Sequence, residues 1–137
     1  MKTTVKAYAK INLMLDILGT LPNGYHDLFM IMQSVGIYDI VSLSESKSGK
    51  ITVSCTNTDI PTGIDNIAYT AAKAFFEYTD IDCNGLEISI EKHIPHAAGL
   101  AGGSADAAAV IKGINELYEL SLDDKTLREL GVRIGAD

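Results

Sequence analysis

Gly99-Leu100-Ala101-Gly102-Gly103-Ser104 is a run with little side-chain bulk, set between a strand pattern and a helix pattern. That placement suits an anion. Small residues let the backbone approach a phosphate, and the first amides of a helix point outward without intrahelical partners. The same residues also suit a tight strand-to-helix turn in which glycine only supplies positive φ. Spacing alone leaves both readings open. The run is not a P-loop, because no Lys follows its last glycine, and it is not the GxGxxG dinucleotide fingerprint.

The flanks show what must hold this run. Leu86, Ile88 and Ile90 alternate with Glu87, Ser89 and Glu91, the period of a half-buried strand. Pro95 stops that strand because it has no N–H to donate. Beyond the run, Ala107, Ala108, Ile111, Ile114, Leu117 and Tyr118 recur at helical spacing. Ser104 is the expected N-cap, and Asp106 is expected in the first turn, where its charge suits the helix dipole.

At 137 residues the chain fits one domain, and 47% hydrophobic residues suffice for a core. A formal net charge of -7 argues against nonspecific binding to nucleic acid or anionic membranes, which needs basic patches. A nucleotide held by backbone amides and one or two cations remains compatible with it. Cys55 and Cys83 are too few for a disulfide framework, and their spacing is no zinc signature. Cys55 reads as a small core residue. Met1-Lys2-Thr3-Thr4 leads into a strand pattern rather than a signal peptide, and no apolar run is long enough to span a bilayer, so cytoplasm is the expected compartment.

Other polar residues stand out less. Val5, Ala7 and Ala9 form one strand pattern and Ile11, Leu13, Leu15 and Ile17 another, with Lys10 at their junction and Asn12 just after it. A Lys there reads as solvated. Pro22-Asn23-Gly24 is a turn signal, followed by Tyr25-His26-Asp27. Leu28–Val35 is expected to be a covered strand, Tyr38-Asp39 a short turn, and Ile40–Leu43 the start of a further strand. Ser44–Lys50 reads as a hairpin loop before a strand that includes Ile51, Val53 and Cys55. Asp65 is the expected N-cap of a helix over Asn66–Tyr78. Ser121-Leu122-Asp123-Asp124 resembles a capping box, with a helix over Lys125–Leu130 ended by Gly131.

With these residues in place, Pro95-His96-Ala97-Ala98-Gly99-Leu100-Ala101-Gly102-Gly103-Ser104-Ala105-Asp106 resembles the ATP-binding loop of the GHMP kinases. Ala9-Lys10-Ile11-Asn12-Leu13, Gly24-Tyr25-His26 and Tyr38-Asp39 resemble further segments of one branch, the kinases of 4-diphosphocytidyl-2-C-methyl-D-erythritol. The resemblance implies ATP and Mg²⁺ as cofactors, with Pro95, His96, Ala97, Ala98, Gly99, Leu100, Ala101, Gly102, Gly103, Ser104 and Ala105 around the nucleotide phosphates. It implies Lys10 and Asp137 as catalytic residues, and Asn12, Tyr25 and His26 as contacts to a cytidine-bearing substrate. Asn66 and Ile67 are its weaker suggestions for the adenine pocket. Ala101 and Ala105 depart from the family pattern, which often has Gly and Ser there. No side-chain metal site is implied.

The implied fold is α+β, a mixed sheet with helices packed on one side, as in the second domain of ribosomal protein S5. The implied activity is ATP-dependent phosphorylation of the 2-hydroxyl of the substrate, in the non-mevalonate route to isoprenoid precursors. The implied partner is that small molecule, with neither nucleic acid nor membrane. The resemblance reaches Asp137, the last residue, so residues 1–137 correspond to the N-terminal domain alone, and this piece by itself is expected to be inactive. The alternatives are another GHMP small-molecule kinase, such as one acting on homoserine or a mevalonate derivative, a non-catalytic nucleotide-binding module, or a bare ferredoxin-like or ribosomal-type domain.

Overall fold

The computed structural model describes residues 2–20, 26–57, 60, 66–95 and 102–134, with side chains described at 2–9, 36–57, 60, 66–95 and 103–134. In chain order the elements are β1 (Lys2–Thr20), β2 (His26–Glu45), β3 (Ile51–Cys55), α1 (Ile67–Thr79), β4 (Leu86–Glu91), α2 (Gly102–Leu117) and α3 (Asp124–Arg133). The sheet order is β1-β2-β4-β3. β1 pairs antiparallel with β2, and β2 antiparallel with β4. β3 pairs parallel with β4. Parallel neighbours need a long crossover, and α1 supplies it. The sheet is therefore mixed.

Alternation decides which face is covered. Val5, Ala7 and Ala9 on β1, Val41 and Leu43 on β2, Val53 on β3 and Leu86, Ile88 and Ile90 on β4 are all buried. Against them lie Ala68, Ala71, Ala72, Phe75 and Phe76 of α1, Ala107, Val110, Ile111, Ile114 and Leu117 of α2, and Leu130 of α3. The opposite face carries Lys2, Ser42, Ser44, Thr52, Ser54, Glu87 and Ser89 around a shallow open depression. The helices thus pack on one side, as expected. α2 sits close on β2: a Cβ added to Gly113 would lie 2.5 Å from Leu43 Cδ1.

Several local expectations are corrected. Tyr38-Asp39 is not a turn, since both residues lie inside β2, opposite Tyr8 and Ala7. The sequence reading treats Asp as a turn former, but here its buried carboxylate finds partners elsewhere in the fold. The two N-terminal patterns form one strand, and their junction is a register shift between Tyr8 and Lys10. Residues 46–50 do not close a hairpin, because β4 inserts between β2 and β3. α1 is capped by Asn66, whose side chain accepts from the Ala68 N–H; Asp65 lies outside the described residues. α2 starts at Gly102, so Ser104 is inside its first turn rather than capping it, and Asp106 falls beyond that turn. The cap of α3 is Asp123, and the helix runs through Gly131 to Arg133. Gly131 costs about 1 kcal/mol relative to Ala in a helix, but continuing lets the Ile134 N–H reach the Leu130 carbonyl.

Candidate phosphate-binding loop and its anchors

The strand and the helix read from the sequence are present in that order. β4 ends at Glu91, Ile94 is buried, Pro95 is exposed, and α2 begins at Gly102. His96, Ala97, Ala98, Gly99, Leu100 and Ala101 lie outside the described residues. Gly103 is exposed, and the nearest atom to a Cβ built there is Ile67 Cγ2 at 3.8 Å. This contact sets Ile67, at the start of α1, beside Gly103 at the start of α2. Ser104 is half-buried, and Ala105 packs partly against the core. The Asn66 side-chain oxygen is engaged as a cap, 2.8 Å from the Ala68 nitrogen.

The remaining predicted residues divide by strand. Lys10 is paired with Ser34 and Asn12 with Met32 in the β1–β2 ladder, while His26 pairs with Thr20 at its other end. Their side chains, together with Tyr25 and Asp137, lie outside the described residues.

What sequence reasoning missed is a buried charge cluster at both ends of the loop. Lys92 follows β4 directly. Its Nζ lies 2.5 Å from Asp39 Oδ2 and 2.9 Å from Asp106 Oδ2. The Asp39, Asp106 and Lys92 side chains are 0%, 5% and 6% exposed. Asp39 Oδ1 accepts from the His93 N–H at 2.7 Å and the Ile94 N–H at 2.9 Å. Asp106 Oδ1 is buried with no hydrogen-bond partner among the described residues.

Electrostatics within the cluster follow from these contacts. Burial, then the neighbouring Asp39 carboxylate, push the Asp106 carboxyl up to about 7, against the pull of Lys92. Burial would also raise Asp39, but the neighbouring Asp106 carboxyl and the hydrogen bonds from Ile94, Lys92 and His93 outweigh it and hold Asp39 below the usual carboxylate range. Burial alone would lower Lys92, yet the two carboxyls raise it. The only sequence signal was a Lys just after an alternating strand, with an Asp soon after the glycine run. Nothing local pointed to Asp39.

Among the described residues no three His, Cys, Asp or Glu come together as a metal site. None of the described helices is long and apolar enough to cross a membrane.

Comparison with known proteins resolves the family. Residues 66–137 match the GHMP kinases N terminal domain. The chain belongs to the GHMP kinases. It is 50% identical over 133 residues to a 4-diphosphocytidyl-2-C-methyl-D-erythritol kinase of Alkaliphilus metalliredigens, covering 97% of this chain and 45% of that protein. It is 51% identical over 133 residues to the Clostridium tetani protein of the same name, covering 97% of this chain and 47% of the other. A crystal structure of 4-(cytidine 5'-diphospho)-2C-methyl-D-erythritol kinase superimposes with a TM-score of 0.80 at 33% identity, covering 98% of this chain and 47% of that one. Methanococcus jannaschii mevalonate kinase, at 16% identity and a TM-score of 0.77, shares the fold. The α+β fold read from the sequence is therefore that of GHMP kinases, and the chain spans about half the length of the relatives it matches.

Proposed function

We propose that this chain is the nucleotide-binding half of a small-molecule kinase. The kinase transfers the γ-phosphoryl group of ATP to the 2-hydroxyl of 4-diphosphocytidyl-2-C-methyl-D-erythritol. The observation that carries this reading is the β4–loop–α2 unit in a chain about half identical, over 97% of its length, to proteins of that name. Residues 1–137 act as the N-terminal domain, and the further length seen in the relatives supplies the rest of the cleft.

The chemistry asks little of the protein beyond positioning and charge. The amides of residues 96–105 and the Ser104 hydroxyl cradle the phosphates at the start of α2, where the helix dipole favours negative charge. Mg²⁺ bound together with the nucleotide would neutralise phosphate charge and would need few ligands from the protein. Asp137 accepts the proton of the 2-hydroxyl, whose oxygen then bonds to the γ-phosphorus as the bond to ADP breaks. Lys10, on β1, orients that hydroxyl and offsets the developing negative charge. Tyr25 stacks on the cytosine, an arrangement that stabilises by roughly 1–3 kcal/mol, and His26 hydrogen-bonds to it. Asn12 contacts the same substrate, and Asn66 and Ile67 border the adenine.

Two tests address the roles separately. In the whole protein, Lys10→Ala and Asp137→Ala abolish ADP production and retain ATP binding; near-normal turnover by either variant contradicts its catalytic role. Cytidine nucleotides protect Tyr25 and His26 from chemical modification and uridine nucleotides do not; equal protection by both removes the cytosine contact.

A further inference from the structure

We propose that Lys92, Asp39 and Asp106 act together as a clamp that ties the chain leaving β4 to the start of α2, and thereby positions the first amides of α2 for the nucleotide phosphates. This inference rests on the kinase reading above, and it assigns positioning rather than catalytic roles.

The argument is geometric. Lys92, His93 and Ile94 are the last residues before Pro95, and Asp106 stands in α2 shortly after the loop ends. Lys92 Nζ bonds Asp106 across the loop, joining its entry to its exit. The entry is fixed twice more, because both oxygens of Asp39 are used: Oδ2 by Lys92, and Oδ1 by the His93 and Ile94 amides. Asp39 is opposite Ala7 in the β1–β2 ladder, three residues before Lys10. The same carboxylate therefore ties the loop entry to the strand pair that carries Lys10. A link between residues 92 and 106 restricts the conformations open to the chain between them.

A second observation separates a clamp from a general buried ion pair. Two carboxyls share one ammonium, and Asp106 Oδ1 has no donor among the described residues. The link across the loop needs an acceptor oxygen at Asp106 but not a full negative charge. An Asn there keeps the acceptor, and an Ala removes it while leaving the Lys92–Asp39 pair intact.

The experiment uses the whole protein and reads the KM for ATP, kcat, and amide hydrogen exchange over residues 102–106. In Asp106→Ala the expected KM for ATP rises about tenfold, because amides that bind the nucleotide are no longer held ready for it, with kcat changed less and exchange accelerated. Asp106→Asn returns all three close to the parent protein. Asp39→Asn, which keeps an acceptor for the two amides but presents Lys92 with an amide group, also raises the KM for ATP. An unchanged KM in both Asp106→Ala and Asp39→Asn, or an Asp106→Asn variant no better than Asp106→Ala, overturns the clamp. A parent protein that turns over no ATP contradicts the kinase reading instead, and exchange at 102–106 still judges the clamp: unchanged exchange in Asp106→Ala overturns it.

Discussion

Replacing Lys92 by Met tests the physical account of the cluster. Met keeps much of the side-chain volume and deletes the charge. In the parent protein one ammonium serves two carboxyls that are 0% and 5% exposed. Removing one partner of a buried pair costs about 3–5 kcal/mol, because it leaves charge buried without compensation. Asp39 keeps two backbone donors, so the larger share of the cost falls on Asp106. That cost has a definite pH dependence. Burial already raises Asp106 from 3.8 to about 7, and without Lys92 it rises further. A carboxyl whose folded pKa lies above its unfolded value binds its proton more tightly in the folded state. Folding is then favoured at low pH, and stability falls as pH climbs from about 4 through the folded pKa. Asp39 is lowered, so its contribution is lost only as pH falls below the ordinary carboxylate range, outside that window. Urea unfolding followed by circular dichroism at about pH 5 and about pH 8 reads the difference. The expected loss for Lys92→Met is about 3 kcal/mol or more at the higher pH and clearly smaller at the lower. A loss below about 1 kcal/mol at both, or a larger loss at the lower pH, refutes the reasoning.

Three further outcomes are expected. Asp106→Asn flattens the fall in stability of the parent protein between about pH 4 and pH 7, where a shift from 3.8 to about 7 corresponds to roughly 4 kcal/mol; an unchanged slope means Asp106 does not titrate in that range. Asn66→Ala removes the cap on α1 and lowers stability by about 1 kcal/mol or more; an unchanged denaturation midpoint contradicts the cap. Gly85→Ala costs about 1–3 kcal/mol, because Gly85 has φ 146° and an added Cβ would lie 2.8 Å from the Ser46 carbonyl oxygen; a neutral effect on thermal melting contradicts it.

The contrast between what the sequence disclosed and what it hid is physical. β4 and α2 were legible because their apolar positions repeat at the period of their own element, and one buried face is enough to reveal that period. Of the glycine run, Gly102, Gly103 and Ser104 belong to α2 rather than to a loop. The order β1-β2-β4-β3 was not legible, since it depends on α1 carrying the chain over to set β4 between β2 and β3. Asp39 was misread as a turn residue. Its partners Lys92, His93 and Ile94 are far along the chain, and only the folded sheet brings them to it. Asp106 was placed at the helix dipole on local grounds, whereas its Oδ2 is bound by Lys92. Ser104 gave way as a cap because two glycines before it already take helical conformation. At α1, Asn66 rather than its neighbour accepts the Ala68 amide, a shift of one residue that propensity alone does not resolve.

The most direct measurement is ADP release by the whole protein supplied with ATP and Mg²⁺, with 4-diphosphocytidyl-2-C-methyl-D-erythritol, mevalonate or homoserine as the acceptor. ADP release that depends on the cytidine-bearing acceptor, and fails with the other two, is the predicted result. Release with mevalonate or homoserine in its place, or no acceptor-dependent release at all, contradicts the account.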